Sequence, residues 1–127
     1  MTKKQKIMVV DDEKEVQDVL QTRFEALGYD VVIAENGEEA LEKVKTDKPD
    51  LIILDIKMPK LDGYGVCRNL KGDKDFKDTP IVMLSVKAME KDREIGLKCG
   101  AEAYITKPFD PKKLVDTVKS LLSGNHP

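Results

Sequence analysis

Carboxylates follow two short apolar runs of the sequence. Asp11 and Asp12 come directly after the run 7–10, and Asp55 comes directly after the run 51–54. Three carboxylates brought close together would repel one another strongly. A hard divalent cation such as Mg²⁺ (or Mn²⁺) relieves that repulsion, because it prefers oxygen ligands. The acids therefore predict a divalent-cation site, provided that the fold brings the two runs side by side.

Two other polar residues also follow short runs that are predicted to be strands. Ser85 follows the run 81–84, and Lys107 follows the run 103–106. A lysine ammonium and a hydroxyl could neutralise the oxygens of a phosphoryl group, and a magnesium ion held by carboxylates commonly takes phosphate as a further ligand. An aspartate carboxylate can itself accept a phosphoryl group as an aspartyl-phosphate. The residue types thus fit metal-dependent phosphoryl transfer to an aspartate.

Each of these residues also has a purely structural interpretation. Asp12, with Glu15 three residues later, resembles a capping box at the start of a helix. Asp55 could simply end a strand, Lys107 could be a solvated surface charge, and Ser85 could be an incidental hydroxyl. Their shared position at the ends of apolar runs favours a common site.

The elements that must position these residues alternate along the chain. Short apolar runs without polar alternation are typical of strands buried on both faces, and segments of helical spacing follow each run. Five such repeats predict a doubly wound five-stranded parallel sheet with helices on both faces and right-handed crossovers. Its strand ends share one edge, where open α/β sheets bind ligands. The residues expected on the inner helix faces are Val16, Val19, Leu20, Phe24 and Leu27; Ala40, Leu41 and Val44; Tyr64, Cys67 and Leu70; Ile95 and Cys99; and Leu114, Val115, Val118, Leu121 and Leu122.

Length and composition indicate one domain over residues 1–127, with a frayed tail at 123–127 and a surface loop at 71–79. The net charge of −2 and the absence of Trp argue against direct binding to nucleic acid. No signal peptide or membrane span is expected, so the protein is predicted to be cytoplasmic. Cys67 and Cys99 match no metal-binding spacing and are expected to be reduced residues on helices.

The sequence resembles the receiver domain of two-component response regulators over about residues 6–122. The resemblance implies the flavodoxin-like (βα)5 fold and a signalling switch that assists its own phosphorylation and dephosphorylation, with no other enzymatic role. A histidine kinase or a histidine phosphotransfer protein would donate the phosphoryl group. The matching residues are Asp11-Asp12, Asp55 within Asp-Ile-Lys-Met-Pro-Lys-Leu-Asp-Gly, Ser85, and Tyr104 with Thr106-Lys107-Pro108-Phe109.

The resemblance also implies a role for each site residue. Asp55 is the phosphoacceptor and a metal ligand, and the backbone carbonyl of Lys57 is another ligand. Asp12 binds the metal directly, and Asp11 binds it largely through water. Ser85, Tyr104 and Lys107 bind the phosphoryl group or switch with it, and the Lys107–Pro108 bond is expected to be cis.

One position departs from the family pattern, since Val86 stands where Ala or Gly is usual. Lys57 and Lys87 occupy the two positions that flank the path of a hydrolytic water. Lysine has no acceptor for a hydrogen bond from that water, so a long-lived aspartyl-phosphate is expected.

Three alternatives remain open from the sequence. A flavin- or nucleotide-binding protein could use the same fold, although the turn after the first strand lacks the glycines of a phosphate loop. An acid phosphatase would usually carry a second acid where Lys57 stands, and a non-phosphorylated scaffold would not need the full set of residues. The chain is either a stand-alone receiver or part of a longer regulator, and it acts on a downstream protein or on its own effector domain.

Overall fold

The computed structural model describes residues 4–56, 63–85 and 99–124. Five strands pair in parallel, as the sequence predicted, and their order in the sheet is β2-β1-β3-β4-β5. Because β1 and β3 are central and adjacent, the acids that follow them are neighbours across the sheet. The strands are β1 Lys6–Val10, β2 Asp30–Ala34, β3 Leu51–Asp55, β4 Ile81–Ser85 and β5 Ala103–Thr106.

Four helices are described. Asn36 caps α2 through its side-chain oxygen, which accepts a hydrogen bond from the Glu39 amide at 2.9 Å, and Asp110 caps α4 in the same way. Pro111 opens α4, where its missing N–H costs nothing. The sequence also predicts a helix over 90–99 with Ile95 and Cys99 on its inner face, and of this range the structure describes only Cys99. The four helices are α1 Lys14–Ala26, α2 Gly37–Asp47, α3 Gly63–Lys71 and α4 Pro111–Leu122.

The strands bury both faces, which gives the sheet a core on each side. On one side Met8 and Ile52 pack with residues of α2 and α3. On the other side Ile7 and Ile53 pack with residues of α1 and α4. The two-sided burial explains the absence of polar alternation in the strands. Within the described ranges, no helix is long and apolar enough to cross a membrane.

Two expectations for α1 are wrong. Val19 and Leu27 are 49% and 44% exposed, whereas Gln17 is buried. Helical spacing defines which residues share a face, but the neighbouring elements decide how much of that face they cover. The expected capping box is also absent: the residue before the helix is Glu13 and not Asp12, and the Glu13 side chain makes no capping hydrogen bond.

The segment 71–79 is less of a surface loop than its charge predicted. Turns run through 72–79, and Phe76 is 8% exposed because it joins the core beside α2 and α3. The two cysteines are free, as expected. Cys67 is buried on α3, whereas Cys99 is half-buried in a turn and packs against the same core.

Candidate functional site

An acid pocket, defined as Asp11, Asp12, Glu13 and Asp55, lies at the carboxyl ends of β1 and β3. One carboxylate oxygen from each residue lies within 4.8 Å of the others. Asp11 and Asp55 are 1% and 4% exposed, whereas Asp12 and Glu13 are exposed. The pocket therefore has a buried floor of two carboxylates and a rim of two that solvent reaches.

Lys107 points its ammonium into this pocket from the end of β5. Its Nζ lies 3.0 Å from Asp11 Oδ2, 3.5 Å from Glu13 Oε1 and 3.6 Å from Asp55 Oδ2. The lysine side chain is only 10% exposed. The following peptide bond, Lys107–Pro108, is cis.

Asp11 is held at all four of its polar atoms. Its amide donates to the Ala34 carbonyl at 3.1 Å, and its own carbonyl accepts a hydrogen bond from Gln17 Nε2 at 2.7 Å. Oδ1 accepts a hydrogen bond from the Glu13 amide at 2.9 Å, and Oδ2 accepts one from Lys107. The first acid of the pair is thus fixed in place.

Burial and charge act in opposite directions on the two partners of this ion pair. Burial raises the pKa of Asp11, and its hydrogen bonds with the Glu13 amide and Lys107 offset only part of that rise. Burial would lower the pKa of Lys107, but the hydrogen bond and charge of Asp11, followed by the charges of Asp55 and Glu13, raise it. Lys107 therefore stays an ammonium.

The backbone of Asp55 is approached closely by the start of α3. A side chain at Gly63 would place its Cβ 2.5 Å from the Asp55 carbonyl oxygen, so no larger residue fits without movement. The Gly63 amide also donates to the Ile56 carbonyl at 3.0 Å. These contacts tie α3 to the end of β3.

The donor set fits a hard divalent cation. Among the described residues, four carboxylates face one ammonium, which leaves an excess of three formal negative charges. Carboxylate oxygens are the ligands that Mg²⁺ and Mn²⁺ prefer, and the exposed rim leaves room for the waters that Mg²⁺ retains.

The structure describes some of the other expected site residues only in part. Ser85 is the last residue of β4, and β4 pairs with β3 on one side and β5 on the other. Tyr104 is half-buried on β5 and packs against the core beside α2 and α3. Lys57, Val86 and Lys87 lie outside the described residues.

Sequence reasoning missed two residues of the site. Glu13 belongs to the acid pocket, and its position directly after the acidic pair was a signal. Gln17 contacts the Asp11 carbonyl from α1. Its signal was a polar residue on the inner face of a helix, between Val16 and Leu20.

Comparisons with known proteins agree with this geometry. Residues 7–119 match the family model of the response regulator receiver domain. The chain is 50% identical over 117 residues to the alkaline phosphatase synthesis transcriptional regulatory protein PhoP of Bacillus subtilis (strain 168), covering 92% of this chain and 48% of PhoP. The chain thus spans about half the length of the curated relatives it matches.

Solved structures give the same result. The signal receiver domain of a signal-transduction histidine kinase from Syntrophus aciditrophicus superposes with a TM-score of 0.89 at 38% identity, covering 94% of this chain and 91% of that one. The receiver domain of a sensor histidine kinase from Pseudomonas aeruginosa PAO1, which has a magnesium ion coordinated in its active-site cleft, gives a TM-score of 0.87 at 29% identity, covering 95% and 99%. The chain belongs to the family of response regulator receiver domains of two-component systems.

Proposed function

We propose that Asp55 accepts a phosphoryl group from a histidine kinase or a histidine phosphotransfer protein in a magnesium-dependent reaction. The observation that carries the proposal is the convergence of Lys107 and the acid pocket on one buried aspartate, 3.6 Å from the lysine ammonium. Receiver domains of response regulators act with histidine kinases, so the family supplies the class of donor.

In the transfer, an Asp55 carboxylate oxygen attacks phosphorus while the bond from phosphorus to the donor imidazole breaks. The imidazole nitrogen keeps the bonding electron pair and becomes protonated. Negative charge develops on the three phosphoryl oxygens, and Lys107 is near enough to neutralise part of it. Beyond positioning these groups, the protein needs to contribute little to the reaction.

The need for a metal follows from the charge of the pocket. Without a cation, the excess of negative charge among the described residues would repel an incoming phosphoryl group. A bound Mg²⁺ would supply positive charge and orient the phosphoryl oxygens. Asp12 would hold it directly, Asp11 largely through water, and Asp55 and the Lys57 carbonyl would complete the protein ligands.

Phosphorylation would then change the partner surface. Ser85 ends the strand beside β3, so its hydroxyl is a candidate contact for the phosphoryl group, and Tyr104 on the neighbouring strand would move inward with it. We expect the change to shift a population between two states. The affected surface would include the helix that the sequence predicts over 90–99, together with β5 and α4.

The output of the switch is a downstream protein or an effector domain in the same polypeptide. PhoP of Bacillus subtilis, a transcriptional regulatory protein, is about twice as long as this chain. This relationship supports transcriptional control as the output when the domain is part of a longer regulator. We place the reaction in the cytoplasm, as the sequence predicted.

Intact-mass spectrometry in acid tests the acceptor. With Mg²⁺ and acetyl phosphate, the wild type should gain one phosphoryl group, and Asp55→Asn should gain none because an amide is not a competent nucleophile here. Asp50→Asn is the matched control, since Asp50 bonds the Lys6 amide away from the pocket and should still be labelled. Equal labelling of Asp55→Asn and the wild type would refute the assignment.

We further propose that Lys57, Val86 and Lys87 prolong the phosphorylated state. The lysines cannot accept a hydrogen bond from the hydrolytic water, and their stems and Val86 would exclude solvent. Lys57→Asn should shorten the aspartyl-phosphate lifetime several-fold, and Lys87→Glu should shorten it less. The decay of the phosphorylated mass peak measures both, and unchanged decay in the two variants would remove the proposal.

A further inference from the structure

Gln17 is a buried polar residue that the proposed phosphoryl transfer does not use. It lies in the first turns of α1 and is 6% exposed, with Leu20 and Phe24 as the other buried residues of the helix. A buried amide is costly unless it is hydrogen-bonded. Its Nε2 donates to the Asp11 carbonyl oxygen at 2.7 Å.

That carbonyl lies at a structural break. β1 ends at Val10 and α1 begins at Lys14, so the Asp11 carbonyl falls between the hydrogen-bond ladders of the sheet and the helix. Within the described part of the chain, no second donor reaches this oxygen. Gln17 therefore supplies the partner that regular structure does not provide there.

The carbonyl belongs to the peptide that joins Asp11 to Asp12. Fixing the plane of that peptide fixes the direction in which the chain leaves the buried acid and enters the exposed one. Asp12 is not the N-cap residue of α1, because Glu13 takes that position. The geometry points to Gln17 as a positioning residue for the divalent cation, holding the peptide between the two acids so that both carboxylates face one ion.

This inference rests on the proposed metal site, and it adds a requirement that the acids alone do not carry. A loose peptide would leave all four carboxylates present but would add an ordering cost to metal binding. Hydrogen bonds to groups behind a metal's direct ligands typically change its affinity by about tenfold or more. We expect a loss of about tenfold when the Gln17 amide is removed.

The test is titration of purified protein with Mg²⁺ alone in a calorimeter. Gln17→Met removes the donor while keeping an unbranched side chain of similar length, and it should raise the Mg²⁺ Kd about tenfold. Gln21→Met makes the same change one turn along α1, where Gln21 bonds Glu25 at 3.3 Å, and should bind as the wild type does. Gln17→Met and Gln21→Met binding Mg²⁺ equally well would overturn the inference.

A second variant separates positioning from a general loss of stability. Leu20→Val destabilises the same helix in the core and touches no acid, so it should lower Tm in EDTA without changing the Mg²⁺ Kd. If Leu20→Val weakens Mg²⁺ binding as much as Gln17→Met at a similar Tm, Gln17 has no positioning role. If the wild type itself binds no Mg²⁺, the metal site of the proposed function fails, and the inference fails with it.

Discussion

Two lysines at opposite ends of the parallel strands each form an ion pair through a largely buried ammonium, but the two ion pairs differ in their surroundings. Lys107 reaches into the acid pocket at the carboxyl ends of the strands, and Lys71 lies near the amino ends of β4 and β5. Their side chains are 10% and 13% exposed, so both ammonium groups are largely removed from water. The difference lies in what surrounds them.

The Lys71 network is closed. Its Nζ donates to the Lys77 carbonyl at 3.1 Å, the Thr79 carbonyl at 2.9 Å and Glu102 Oε2 at 2.8 Å. The other Glu102 oxygen accepts a hydrogen bond from the Ile81 amide at 2.7 Å. One cation meets one anion, and the remaining donors and acceptors are used by the backbone.

The Lys107 site is open by comparison, because among the described residues its one ammonium is shared by a larger number of carboxylates. In the Lys71 network the charges of the pair balance, so the pair holds its segments together and needs no added ion. An unbalanced cluster raises the energy of the unliganded protein and lowers the cost of binding a cation. The count of charges, more than their burial, distinguishes the structural cluster from the functional one.

The largest expected effect comes from removing each lysine in turn. Lys71→Met should lower the free energy of unfolding by about 2 kcal/mol, because Glu102 and two carbonyls lose their shared donor. Added Mg²⁺ should not reduce that loss. Lys107→Met should be destabilised in EDTA and should gain more stability from Mg²⁺ than the wild type, since the metal no longer competes with an ammonium.

Urea unfolding in EDTA and in Mg²⁺ measures both variants. Recovery of the stability of Lys71→Met by Mg²⁺ would contradict a closed Lys71 network. An equal gain in stability of Lys107→Met and the wild type from Mg²⁺ would contradict competition between the metal and Lys107.

A smaller effect on stability is expected from removing one acid from the acid pocket and one from the Lys71 network. Asp12→Ala should stabilise the metal-free protein by less than about 1 kcal/mol, because it relieves repulsion but solvent screens an exposed charge. It should also weaken Mg²⁺ binding. Glu102→Ala should destabilise the protein with or without metal, since it breaks a balanced pair. A loss of stability in Asp12→Ala in EDTA would show that its charge is not in conflict with its neighbours.

The smallest effect concerns Cys67, a thiol beside the closed network. Burial, and then Cys99, raise the pKa of Cys67 to about 11. A maleimide at pH 8 should therefore label the half-buried Cys99 well before Cys67. Peptide mass mapping measures the two rates, and equal rates in the folded wild type would contradict the packing around α3.

The same thiol has a consequence for stability. Because the unfolded chain ionises this cysteine at a lower pH than the folded one, stability is lost as the pH rises from the ordinary thiol pKa of 9.0 through about 11. Cys67→Ala should reduce that alkaline dependence.

The parts of the site that the sequence predicted are those fixed by topology. Asp11, Asp55 and Lys107 each lie at the end of a predicted strand, and parallel pairing must bring such ends to one edge of the sheet. The register of Val10 with Leu54 then sets the two acids side by side. This arrangement depends on strand order and register alone, and not on the details of side-chain packing.

The parts that the sequence missed depend on how elements cover one another. Val19 has the spacing of a core residue, yet no element in the described part of the chain covers it well enough to bury it. Phe76 is buried although charged residues surround it in the chain. The Lys71 network joins residues from four separate segments. Local pattern carries no information about contacts of that kind.

The acid pocket lies at the carboxyl ends of the parallel strands, whereas the connections from each helix to the next strand lie at the opposite end of the sheet. The connection at 27–29 lies between α1 and β2, at the end of the sheet away from the acid pocket. Gly28 has a φ of 97°, so a change there should keep this glycine. New termini, an inserted peptide or a reporter domain placed there would interrupt none of the strand ends that hold the acids. We therefore expect that the chain can be altered at this end of the sheet while the acid pocket at the other end stays intact.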